Sequence, residues 1–295
     1  MSGFRTYHPI VNFTYFVFVI GFSCYFMHPA CLSISLICGF IYSVMLKGKK
    51  AIKTNLIYMI PILLLTSLLN PLFSHEGITI ITYLPSGNPL TLESIIYGFF
   101  AATAVICVMC HFYCYNEVMT SDKFIYLFGK VIPSMSLVIS MVFRFVPRFF
   151  IQFKAVINAQ KCIGCNLSDG GLIKRTKHAL NILSIMITWS LENAIDTADS
   201  MKSRGYGTSF RTSYSIFTFD KRDKIALLLI LLLGVYTFGG ILTGNMYFRY
   251  FPSIQASEPS AFGLSIFISY LLLFMYPLII EFLEVIKWKT LMSKI

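Results

Sequence analysis

IALLLILLLGVYTFGGILT, residues 225–243, decides the fold class. The stretch contains no Asp, Glu, Lys, Arg or His. A helix of about 20 such residues, rising 1.5 Å per residue, crosses the ~30 Å hydrocarbon core of a bilayer. In water the same helix would have no polar face to expose. Five further stretches read the same way: 11–27, 30–46, 56–73, 92–115 and 262–286. Pro61 is an expected kink in the third. The rest of the 295-residue chain agrees, with 56% hydrophobic residues, 13% charged residues and a mean hydropathy of +0.72. Soluble domains carry roughly 25% charged residues, so a water-soluble enzyme is excluded. The 28 Phe and 17 Tyr exclude disorder. The expected fold class is all-α: a polytopic membrane protein of about six transmembrane helices.

A seventh apolar run, 131–150, contains Arg144 and Arg148. A central arginine costs ~2.5–3.5 kcal/mol on insertion, so this run reads as a buried or interfacial helix. The first apolar run follows a single basic residue, Arg5, and no small-x-small pattern closes it. It reads as a retained span and not as a cleavable leader.

The short loops set the expected orientation. With six spans, one side holds Arg5, Lys47, Lys49, Lys50, Lys53, Lys287, Lys289 and Lys294, and the other holds only Arg249. Basic loops face inward, so both termini are expected in the cytoplasm. The net charge of +11 then points to anionic lipid and not to nucleic acid. The chain divides into four spans (1–115), a cytoplasmic insert of amphipathic helices (116–224) and two spans (225–295).

The insert carries the strongest helical period. Asn181, Ser184, Thr188, Glu192, Asp196, Asp199 and Ser203 recur at spacings of three and four, which is one face of a helix. Leu180, Leu183, Ile187, Leu191, Ala194, Ala198 and Met201 form the apolar side. The spacing predicts a helix over 178–203, ending at Arg204-Gly205-Tyr206-Gly207, where glycine permits the positive φ that closes a helix. A second helix is predicted from Pro147 to about Lys161, with Gly164 and Asn166 as terminators. A turn over 166–171 and a basic patch at Lys174, Arg175 and Lys177 join the two.

Motifs for chemistry are sparse. There is no phosphate-binding Gly-x-x-x-x-Gly-Lys-Ser/Thr loop, no His-Glu-x-x-His and no Gly-x-Ser-x-Gly. Cys107, Cys110, His111 and Cys114 lie along one face of the fourth span. One helix rarely supplies four tetrahedral ligands, because its side chains diverge, so apolar packing is the expectation there. Cys162-x-x-Cys165 lacks a second ligand pair. Glu93 and Glu281 lie near span ends and are expected to face water or headgroups. No acid lies mid-span, which argues against a proton-coupled carrier.

Four segments resemble a known family. Tyr7-His8-Pro9-Ile10-Val11-Asn12 is similar to its opening before the first span. Phe143-Arg144-Phe145-Val146-Pro147-Arg148-Phe149 resembles its aromatic and proline stretch. Ala159-Gln160-Lys161-Cys162-Ile163-Gly164 falls where the family has Ala-Gln-x-Ala-Arg-Gly, and Ala198 to Tyr206 matches the second copy, Ala-x-x-x-x-Ala-Arg-Gly-Tyr. The family is the EcfT/CbiQ-like transmembrane scaffold, the T component, of energy-coupling factor transporters, which are ABC importers of vitamins and transition-metal ions. In the first motif Ile163 stands where the family has arginine.

The resemblance implies a chain without catalytic residues or cofactors of its own. It implies that ATP is bound by two separate ABC ATPase subunits and that the coupling residues are Ala159, Gln160, Ile163, Gly164, Ser203, Arg204 and Gly205. It further implies that ATPase closure moves the coupling helices, which tilt a small membrane subunit carrying the ligand. Two other classes fit the sequence less well. A stand-alone membrane enzyme acting on a lipid or isoprenoid would need clustered acids, and Glu192, Asp196 and Asp199 are the only candidates. Their spacing gives a solvated helix face more simply. A secondary carrier lacks mid-span ionisable groups.

Overall fold

The computed structural model describes residues 3–74, 76–83, 89–129, 133–165, 171–207, 217–244, 246–256 and 260–292. The chain forms two compact units, Met1–Phe124 with Phe217–Ile295, and Ile125–Ile216.

The first unit holds the apolar helices α1 (Pro9–Tyr25), α2 (Pro29–Lys47), α3 (Lys49–Phe73), α4 (Leu92–Val118), α8 (Lys221–Leu242) and α9 (Ala261–Met292). All but α1 are long and apolar enough to cross a membrane; α1 has 17 residues. Two short antiparallel ribbons sit in the connections, β1 (Ile80–Tyr83) with β2 (Pro89–Thr91), and β3 (Phe248–Arg249) with β4 (Gln255–Ala256). The helices match the expected spans within a few residues, except that α3 begins seven residues before the expected 56 and α9 runs six past the expected 286.

Local chemistry starts these helices. α1 and α2 both open on His-Pro. The His8 and His28 Nδ1 atoms accept from the Ile10 and Ala30 N–H groups at 3.3 and 3.2 Å, and each proline takes the first helical position. A side-chain acceptor and a pre-set φ together satisfy the exposed first turn. Gly48, at φ 61°, turns the chain between α2 and α3. Gly98 of α4 lies against Asn70, the Ser67 carbonyl and Pro71 of α3, which a Cβ would approach to 3.0, 3.1 and 3.5 Å.

The core is aromatic. Phe4, Tyr15, Phe16, Tyr42, Tyr270 and Phe274 are fully buried, and Tyr270 stacks on Phe274 with ring centroids 4.3 Å apart. Some polar groups inside the bundle pair with one another, which lowers the cost of placing them in hydrocarbon, whereas the Tyr42 and Tyr270 hydroxyls are buried without a hydrogen-bond partner among the described residues. Ser23 and Ser35 Oγ lie 2.8 Å apart, and Ser35 Oγ lies 3.1 Å from His111 Nε2. The α4 cysteines pack against α2, with the Cys107 and Cys114 thiols directed at the Leu32 and Gly39 carbonyls. Among the described residues no group of three His, Cys, Asp or Glu is arranged to hold a metal.

Two expectations are corrected. Glu93 and Glu281 do not face water or headgroups: they are 5% and 7% exposed. Each carboxylate holds a chain segment. Glu93 accepts from the Thr79 N–H and hydroxyl, and Glu281 accepts from the Gly3 and Phe4 N–H groups at 3.1 and 3.4 Å. The chain start is fixed further by His8 N–H donating to Asp223 Oδ1 (3.3 Å) and by Arg222 over the Tyr7 ring. Lys123 donates to the Arg5 carbonyl at 2.6 Å. Burial, and then the Arg5 charge, push its ammonium down to about 8, against the opposing pull of Asp223.

Candidate functional site

The second unit contains α6 (Pro133–Cys162) and α7 (Leu172–Ser203). The helix α5 (Ser121–Gly129) straddles its start. At 1.5 Å per residue α6 and α7 are ~45 and ~48 Å long. Both exceed expectation. α6 does not begin at Pro147 but runs through it, so the apolar run from 133 and the predicted second helix are one element. Residues 131 and 132 of that run lie outside the described residues. Its described side chains are not all buried: Val138, Val142 and Phe150 are 51%, 51% and 63% exposed. α7 starts six residues before the predicted 178. The predicted turn at 166–171 lies outside the described residues except for Gly171.

The helices pack antiparallel. Val156 of α6 meets Ile182 and Met186 of α7, Phe149 packs edge-on to Trp189 at 5.2 Å, and Arg144 lines one cleft with Arg204. The α7 stripe against α6 is therefore Ile182, Met186, Trp189 and Asn193. The apolar side named from sequence lies beside that stripe and is left open: Leu180, Leu183, Ile187 and Leu191 are each more than half exposed. An amphipathic face left uncovered over several turns marks a surface for a partner or for lipid.

Because the pair is antiparallel, the C-terminal ends of α6 and α7 stand at opposite ends of it. The two ends share one hydrogen-bond pattern. At α6, Gly164 N–H donates to the Lys161 carbonyl (3.0 Å) and Cys165 N–H to the Gln160 carbonyl (2.9 Å). At α7, Gly205 N–H donates to the Lys202 carbonyl (2.9 Å) and Tyr206 N–H to the Met201 carbonyl (2.9 Å). Gly164 and Gly205 take φ of 83° and 78°. Both are Schellman closures, which need a left-handed residue just past the helix. The pattern puts Ile163 and Arg204 in equivalent positions, each the last residue before the glycine.

Ile163 is 73% exposed and Arg204 is exposed. Ala159 is exposed and Gln160 half-buried on the final turn of α6. Ser203 donates back to the Ser200 carbonyl at 2.9 Å and closes the last turn of α7. The site residues thus form two separate tips, and no cluster among them could perform acid–base or nucleophilic chemistry. Glu192, Asp196 and Asp199 are exposed along α7, as a solvated face would be. Sequence reasoning did not single out Arg144 and Arg148 as neighbours of Arg204. Their spacing of four on one helix face was the available signal.

Comparison with known proteins gives the family. The CbiQ family, described as cobalt transport protein, matches residues 7–214, well over half the chain. The energy-coupling factor transporter transmembrane protein EcfT of Lactobacillus helveticus (strain DPC 4571) is 42% identical over 108 residues, covering 36% of this chain and 39% of that protein. The EcfT of Leuconostoc gelidum subsp. gasicomitatum is 34% identical over 99 residues (33% and 37%), and that of Streptococcus equi subsp. equi (strain 4047) is 33% identical over 103 residues (35% and 38%). The chain spans about two fifths of the length of the curated relatives it matches. The chain belongs to the CbiQ family, and the curated relatives it matches are transmembrane proteins of energy-coupling factor transporters.

Proposed function

We propose that this chain is the energy-coupling scaffold of an importer in a bacterial cell membrane, with both termini and residues 116–224 cytoplasmic. The observation that carries the reading is the pair of matched helix tips at opposite ends of one antiparallel hairpin. A rigid element of this kind, ~45 Å long, suits docking on two separate subunits at once. Two ABC ATPase subunits bind and hydrolyse ATP, and each receives one tip. Their closure moves the two ends of the hairpin and so displaces the open apolar face of α7. A small membrane subunit that binds the substrate, a vitamin or a transition-metal ion, rests on that face and is tilted. The chain itself contributes no catalytic group and no cofactor.

At the α7 tip an arginine at the last helical position presents a planar fork, which suits a carboxylate of the ATPase. The test is co-purification in mild detergent with vesicle uptake. Wild type should bring down two ATPase subunits, and Arg204→Ala should insert normally, lose uptake and weaken ATPase association. Near-normal uptake by Arg204→Ala would reject the coupling role of this tip, and ATPase activity of the purified single chain would reject the scaffold reading. A single Cys at Ser121, in a background lacking native cysteines, should label only from inside; labelling from outside would overturn the orientation.

A further inference from the structure

An open cleft of about 330 Å³ runs beside the α7 tip, within the second unit. Arg144 and Arg148 of α6 line it, with Asn193, Asp196, Ser200 and Arg204 of α7. It holds three guanidinium groups and one carboxylate, and no lysine lines it. Among the described residues, none of the three arginines makes an ion pair within 4.0 Å. Like charges repel when brought to one cleft, so three arginines with a single acid form a surface that an anion relieves. The guanidinium carbon of Arg148 lies 5.9 Å from the centre of the Trp189 ring, which orients that fork before anything binds.

We propose that Arg144 and Arg148 belong to the same acceptor as Arg204, and that the acceptor takes an acidic segment of the ATPase presenting two carboxylates. The inference rests on the reading that the α7 tip docks on an ATPase. Two points favour a segment over a small anion. The cleft extends from Asn193 to Arg204, ~16 Å along the helix axis, which no single phosphate spans. Its charge, three arginines against Asp196, is balanced by two separate carboxylates. Arginine in place of lysine at all three positions suits paired, planar recognition of carboxylate.

The experiment measures association of the full-length scaffold with its ATPase subunits, in detergent, across a salt series. Arg144→Gln/Arg148→Gln should weaken binding at one of the two ATPase positions about tenfold or more, and should flatten the salt dependence. Arg144→Lys should recover only part of the loss. Arg144→Gln alone leaves the Trp189 contact intact, so a smaller loss of the same kind should appear without any change in helical content. Wild-type binding and salt dependence in the double variant, while Arg204→Ala loses binding, would overturn this inference and leave the docking reading standing. Normal binding by Arg204→Ala would instead remove the docking reading on which it rests. Displacement of the ATPase by millimolar inorganic phosphate would also overturn the acidic segment, since a small anion would then fill the cleft.

Discussion

The ends of α6 and α7 close with the same hydrogen bonds and the same left-handed glycine, yet one carries Ile163 and the other Arg204. Backbone and tip chemistry are therefore independent here. The glycine fixes where the last side chain points, and the side chain fixes what it can bind. One end presents an aliphatic group that gains from leaving water, and the other a charge that gains only against a carboxylate. A scaffold with unlike tips fits two unlike receiving surfaces.

The largest effect is expected from erasing the difference. Arg204→Ile makes the α7 tip a copy of the α6 tip and leaves the receiving carboxylate buried without its partner. Removing one member of such a pair costs ~2–5 kcal/mol of binding. Uptake should be lost while membrane insertion is normal. The converse change, Ile163→Arg, should also weaken binding, because an arginine would enter a surface shaped for an aliphatic group. Improved ATPase association by Ile163→Arg would show that both receiving surfaces are acidic, and the comparison would collapse.

The next effect tests the shared backbone. Gly164→Val and Gly205→Val place a β-branched residue at φ of 83° and 78°, a conformation that costs ~1–2 kcal/mol for an L-residue. Nothing lies within 4 Å of a Cβ built on Gly164, so the cost there comes from the backbone and not from a clash. Both variants should weaken ATPase association by a similar factor, read by the same pull-down. A strong effect at one end only would mean that the two closures do different work.

Much of this was legible in the sequence, and the parts that were not have physical causes. The spans and the glycine closures follow from hydropathy and local pattern, which are properties of neighbouring residues, and the equivalence of the two tips was implied by the family resemblance. The burial of Glu281 was not legible, because its partners are the N–H groups of Gly3 and Phe4 at the other end of the chain. The second helix is predicted to begin at Pro147, and proline, lacking an N–H, is unfavourable inside a helix. α6 instead continues through it, losing one backbone bond on a helix exposed over much of its length. The period of α7 separated polar from apolar positions but could not say which of two adjacent stripes meets α6. Ile182 and Met186 are buried there, while Leu183 and Ile187, one residue further on, are exposed.

The smallest effect is expected at the α6 tip itself. Ile163→Ala removes an aliphatic group that is 73% exposed in the free chain. If docking buries it, truncation forfeits about 1–2 kcal/mol, at ~0.8 kcal/mol per methylene. No charge is stranded on either side, so the loss should stay well below that of Arg204→Ile. Its salt dependence should differ too. Between 0.1 and 1 M salt the screening length falls from ~10 to ~3 Å, which weakens the arginine contact and leaves an aliphatic contact unweakened. Scaffold carrying Arg204→Ala, left with only the α6 tip, should therefore hold one ATPase subunit with an affinity that high salt does not reduce. Adding Ile163→Ala to it should release that subunit. Retention of the subunit by the double variant would show that Ile163 is a bystander and that other residues of the α6 end make the contact.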